Sequence, residues 1–195
     1  MAKQEDHSCD LFPLLDEFLA TGDSEKLTSH IVSNSNLPGR RANLELAAAF
    51  ADVVADCADQ EHERLWALCR NMTAISADEA PVKNPGHRPG LLPRKKPLGP
   101  AAPKPPLAIP PRPQVGASWL FPVNAPQEFI PFCGAVGIGA VGSSVVEYAT
   151  KALTTLRALA NDPRWRMREA VCFGLQRLLT KRGQVTREAL AGWVA

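Results

Sequence analysis

Apolar residues recur along this chain at spacings of three and four, which marks helices with one buried face. Leu11, Leu14, Leu15, Phe18 and Leu19 form the first stripe, with Asp10 as its expected cap and Pro13 in its first turn. Thr21-Gly22-Asp23 ends that helix and opens a second through Leu27 and Ile31, and Leu37-Pro38-Gly39 breaks the chain again. A third helix is expected to carry Leu46, Phe50, Val53, Val54 and Cys57 on one face. A fourth starts near Gln60 with Leu65, Leu68, Cys69 and Met72.

The pattern resumes near the C-terminus. Asn124 reads as a cap with Pro126 at the first helical position, followed by Phe129, Cys133, Val136 and Ala140 at helical spacing. Pro131 requires that helix to start late or to kink. Ser144 is the expected cap of the next helix, whose inward positions are Tyr148, Ala152, Leu156 and Leu159. Asp162-Pro163 has the form of an N-cap with proline at the first position, opening a helix that buries Met167, Val171, Leu175 and Leu178. Lys181-Arg182-Gly183 closes it, and Thr186 caps a last piece with Leu190 and Trp193. No alternating β-branched run bounded by hairpin turns interrupts this rhythm, so the expected class is all-α, built from short antiparallel helix pairs.

Proline changes the picture in the middle. Of 18 prolines, 14 lie in residues 80–126, together with 4 glycines. Prolines every few residues remove the donors a helix needs. Three parts follow: an N-terminal helical part over 1–79, a proline-rich flexible insertion or linker over 80–123, and a C-terminal helical part over 124–195. Charge follows the same division, with net −9 over residues 1–79, +7 over 80–126 and +4 over 127–195. Such segregation points to partner binding or to the history of the sequence.

The stretch Phe129–Val146 carries no charge over 18 residues, at the lower edge of a membrane span. Glycines, a proline and serines dilute it, and close packing of small residues inside a helical body is the expected use. The polar N-terminus MAKQEDHSCD shows no apolar leader. Five scattered cysteines without a CxxC fit a reducing compartment. The expected location is therefore cytoplasmic, with no membrane partner.

Residues 156–178 carry the most specific pattern: leucines, an Asp-Pro turn, then Met167-Arg168-Glu-Ala170-Val171 with Leu175 and Leu178 beyond. This resembles a HEAT-type (armadillo-like) helical repeat. The run Phe132–Gly142 looks like the small-residue helix ending of HEAT-like and phycobilin-lyase-type repeats. The resemblance implies a short right-handed stack of antiparallel helix pairs, a HEAT-like α-solenoid, interrupted by the proline-rich irregular segment. It also implies that Asp162 accepts from the open N–H groups of the second helix, and that Arg168 reaches the turn carboxylates. Ser76–Val82 would join smoothly to Asn124–Phe129, so residues 83–123 read either as an insertion between helices or as out-of-frame translation of GC-rich coding sequence.

Catalytic motifs are sparse. GxSxG, HExxH and a P-loop are all missing. Gly137, Gly139 and Gly142 spell GxGxxG, but in a helical segment with no preceding strand the match is chance. Four dispersed histidines make no metal motif, and neither a metal nor a cofactor is expected. Arg157, Arg164, Trp165, Arg166, Arg168 and Arg177 form the candidate binding set, dense around one helix pair. The expected function is a non-enzymatic scaffold that holds a protein partner in a groove. The alternative is nucleic-acid binding through the C-terminal basic face, in the manner of the HEAT-like alkylpurine DNA glycosylases that the chain loosely resembles.

Overall fold

The computed structural model describes residues 2–39, 41–75 and 125–194. The described residues form α1 (Ala2–Thr21), α2 (Glu25–Ser33), α3 (Leu44–Ala74), a 3-10 turn (Pro126–Glu128), α4 (Phe129–Ser144), α5 (Val146–Leu159), α6 (Trp165–Lys181) and α7 (Gly183–Val194). The class is all-α, and no strand occurs among the described residues. The proline-rich segment expected over 80–123 and the expected cap Asn124 lie outside them.

The uncharged stretch becomes α4, and residues 129–143 of it are all buried. A helix apolar all round has no face to give to solvent and must be enclosed. Here α2, α3, α5 and α6 enclose it. Among the described residues, no helix is long and apolar enough to cross a membrane. The helices are packed in a way compatible with a helical repeat, and α5 and α6 form the hairpin expected over 156–178. Each helix of a two-layer stack keeps one outer face, and α4 has none over residues 129–143.

Small residues let the neighbours come close. A Cβ on Gly139 would lie 2.5 Å from the Cα of Gly174 on α6, and one on Gly137 would lie 2.5 Å from Sγ of Cys69 on α3. Gly142 meets Ala152 of α5 in the same way. Successive helical residues turn by about 100°, so the three glycines of the GxGxxG run point at three different neighbours. Their spacing serves packing, and no phosphate-binding turn is formed.

The two ends of the described chain share one core. Leu11, Leu15 and Phe18 of α1, Leu27 and Ile31 of α2, and Leu46, Phe50, Val54 and Leu65 of α3 belong to the same buried cluster as Phe129, Phe132, Leu156, Met167 and Leu178. Gly22 adopts a left-handed φ of 80°, and its N–H bonds the Phe18 carbonyl at 2.7 Å, which ends α1 as the Thr-Gly-Asp signal requires.

Several expected caps fall elsewhere. α1 begins at Ala2, so Asp10 and Pro13 lie inside it. In the extended first turns His7 makes a tertiary contact, its Nε2 lying 3.4 Å from Nδ2 of Asn43. The expected third and fourth helices meet within α3 at a kink on Glu61 (φ −124°, ψ 28°), one residue from the expected restart. Asn43 caps α3 by accepting from the Leu46 N–H at 3.1 Å. Ser144 ends α4 and donates to the Ala55 carbonyl at 3.3 Å, so it does not cap α5. Thr186 lies inside α7, buried, and donates to the Arg182 carbonyl at 2.8 Å. Pro131 falls in the first turn of α4, so that helix starts late and does not need a kink.

The Gly139–Gly174 contact makes a direct prediction. Gly139→Ala lowers unfolding stability by about 1–3 kcal/mol, because backbone on α6 must move aside. Gly192→Ala, where nothing lies within 4 Å, raises it by about 0.5–1 kcal/mol through helix propensity. Urea melts of the two variants decide the matter, and equal effects would contradict backbone contact between α4 and α6.

Candidate binding groove

Arg164, Arg166 and Arg177 from the candidate set are all engaged within the chain, Arg166 buried and the other two half-buried. Arg164 Nη2 lies 2.7 Å from Oδ2 of Asp162, and its Nε donates to Oδ1 at 2.9 Å. The same guanidinium donates to the carbonyls of Ile75 (3.3 Å) and Thr73 (3.5 Å) at the end of α3. Arg166 is 3% exposed and lies 3.7 Å from the Glu128 carboxylate, itself 8% exposed. Its guanidinium also stacks over the Trp165 ring at 4.4 Å. Arg177 pairs with Asp52 at 2.7 Å and donates to the Ala48 carbonyl at 2.9 Å. Arg157 and Arg168 are exposed, Arg157 lying 5.7 Å from the Trp193 ring, and Trp165 is 45% exposed.

Two details of the turn differ from the repeat pattern. Arg164 occupies the cap position of α6, so Asp162 is not the N-cap. Its Oδ1 accepts from the Arg164 N–H at 2.9 Å instead. Arg164 takes the turn carboxylate expected for Arg168, and its guanidinium also bonds two carbonyls at the end of α3. Burial pushes the Asp162 carboxyl up, but the bonds from Arg164 outweigh burial and hold it below the ordinary 3.8.

Other helix ends use arginine in the same manner. Arg182 donates to the Ser144 carbonyl closing α4 at 2.9 Å, and Arg64 donates to the Leu19 carbonyl near the end of α1. The last carbonyls of a helix lack intrahelical donors, and a guanidinium supplies them. Much of the cationic density seen in sequence is therefore fold chemistry.

Between α3 and α6 the surface opens. An apolar cleft of about 240 Å³ has Phe132 and Val136 of α4 as its floor, Leu44 and Ala48 of α3 on one wall and Phe173 of α6 on the other. It runs into a polar pocket of about 560 Å³ lined by Asp52, Asp56 and Asp59 of α3, Ser144, and Lys181 of α6. Arg177 and Thr180 line both. The acids follow at i, i+4 and i+7, one face of a helix. Arg177 and Lys181 face them at i, i+4 on α6. Only the first rung of this ladder closes, Asp52 with Arg177, whereas Asp56, Asp59 and Lys181 make no ion pair among the described residues.

Of the candidate set, only Arg177 lies on this groove. The acidic row was visible in sequence as the polar face opposite Phe50 and Val54, but its apposition to α6 was not. Burial raises the Cys69 thiol to about 12 and Cys133 well above its ordinary value, so neither supplies a thiolate. Among the described residues no three His, Cys, Asp or Glu side chains gather to hold a metal ion. In comparisons with family models, curated proteins and solved structures, nothing matches the chain.

Two outcomes follow from the pairs. Arg166→Ala leaves the Glu128 carboxylate buried without its cation and costs about 3–5 kcal/mol, whereas the double change to methionine at both positions recovers most of that. Denaturant melts of the single and double variants measure it, and a single-variant loss under about 0.5 kcal/mol would contradict the pairing. For Asp162, a depressed folded pKa means stability that is present above the ordinary 3.8 and lost as pH falls through the lower folded value. Asp162→Asn is therefore less stable than the parent at neutral pH, and the gap narrows as melts are taken below pH 4. A gap that is constant with pH would rule out the Asp162–Arg164 pair as its source.

Proposed function

We propose that the chain is a non-enzymatic helical scaffold that holds a protein partner in the groove between α3 and α6. One observation carries this: an apolar cleft with a floor of fully packed α4 side chains stays open to solvent and continues into a charged pocket. Open apolar concavities of this kind between helices receive side chains of a partner helix. In this reading the N-terminal part, 1–79, supplies one wall and the C-terminal part, 124–195, supplies the floor and the other, with the proline-rich segment joining them. The HEAT-like character belongs to the α5–α6 hairpin, and grooves between such hairpins are the working surfaces of helical repeats. A reducing, cytoplasmic setting suits the free thiols of Cys69 and Cys133.

The nucleic-acid reading, with or without glycosylase-like chemistry, has less behind it. Arg164, Arg166 and Arg177 already have carboxylate or carbonyl partners, and phosphate binding needs cations that can be released to it. Peptides selected from a display library against the full chain provide the test. The expected result is slowed amide exchange in residues 44–52 and 173–180 when a selected peptide is bound. Protection confined to other helices, or duplex DNA binding with a steep salt slope lost in Arg157→Ala/Arg168→Ala, would overturn the groove.

A further inference from the structure

The charge of the groove narrows what fills it, and this step rests on the groove being the binding site. We infer that the partner segment is an amphipathic helix with an apolar anchor and a Lys/Arg edge, laid along α3. The apolar cleft lies beside Ala48 and the open carboxylates begin at Asp56, eight residues further along the same helix. At 1.5 Å per residue that separation is about 12 Å. A helix lying parallel or antiparallel to α3 spans it between its apolar anchor and a basic residue seven or eight positions away. A second basic residue three or four positions further meets Asp59.

Charge complementarity sets the sign. Asp56 and Asp59 are exposed, make no ion pair among the described residues, and are answered in the groove only by Lys181, because Arg177 is engaged by Asp52. Around them α3 carries Glu45, Glu61 and Glu63 against Arg64 and Arg70, and the first 79 residues are strongly acidic. This field steers a basic segment toward the groove and repels an acidic one. The opposite edge of the partner passes Lys181, where a neutral or acidic residue is tolerated. A flat apolar patch would offer no such discrimination. The ladder of one closed and two open rungs does, because the open carboxylates are spaced at the helical repeat of the incoming chain.

The test uses labelled peptides of about 16 residues that share leucines at i and i+4 and differ only in their edge: Lys/Arg, Gln or Glu. Fluorescence anisotropy with the full chain reads binding at low and high salt. The basic-edge peptide binds about tenfold more tightly than the acidic-edge one at low salt, and the ratio shrinks at high salt. Asp56→Asn/Asp59→Asn cuts the ratio to about threefold or less. Thr180→Trp, at an exposed position shared by both pockets, abolishes binding of all three, with circular dichroism confirming that the helices persist. Equal binding of the basic and acidic peptides, sensitive to Thr180→Trp, overturns the basic partner but keeps the groove. Binding that Thr180→Trp leaves intact, or no binding of any peptide, overturns the groove itself. A concentration-dependent dimer abolished by Thr180→Trp would make the groove an interface between copies of the chain and overturn both.

Discussion

Everything in this structure depends on enclosing one helix. Residues 129–143 of α4 have no polar side to turn outward, and leaving them in water would forfeit the largest favourable contribution to folding. Enclosure needs several helices at close range, and close range needs the small residues that α4 carries in place of a second layer of bulk. Gly139 against Gly174 is the tightest form of that arrangement, backbone on backbone. The amphipathic helices around it then need only one apolar stripe each, which is what the sequence provides.

Electrostatics are subordinate to that packing. Several helices end against the surface of another, and their last carbonyls would be left without donors at the joints. Arginine closes them: Arg164 at α3, Arg182 at α4, Arg64 near the end of α1. Where arginine meets a carboxylate, as Arg164 with Asp162 and Arg177 with Asp52, the pair ties α6 or the turn before it to α3 or to itself. A cluster of cations along the chain is thus no guide by itself to a cationic surface in space.

Helix existence and the buried stripes were legible because period and burial coincide: Leu27 with Ile31, Phe50 with Val54, Met167 with Val171 all lie where the spacing puts them. The junction near Gln60 was legible too, as the start of a new stripe that the chain realises as a non-helical Glu61 inside α3. Caps were not. Asp10, Ser144 and Thr186 carry the right side chains, yet Asp10 and Thr186 lie inside helices and Ser144 bonds the Ala55 carbonyl of α3 instead. Hydrogen bonds back to a carbonyl one turn earlier are equally open to a threonine, and Thr186 makes one. The apolar residues of the groove, Phe132 and Phe173, could be read only as core, because nothing local says which buried residue lies beneath an opening. The acidic row on α3 was readable as a face, but its meaning arises from Arg177, which lies 125 positions away in the chain.

That distance has a further consequence. The two walls of the groove come from stretches remote in sequence, joined through the shared interior and through the bonds of Arg177 to Asp52 and Ala48. A molecule seated across α3 and α6 therefore resists separation of the two halves of the chain, and its free energy of association adds to the global resistance to opening. Occupancy and integrity become one thermodynamic quantity, so the readiest sign of a genuine partner is a protein that is harder to melt in its presence.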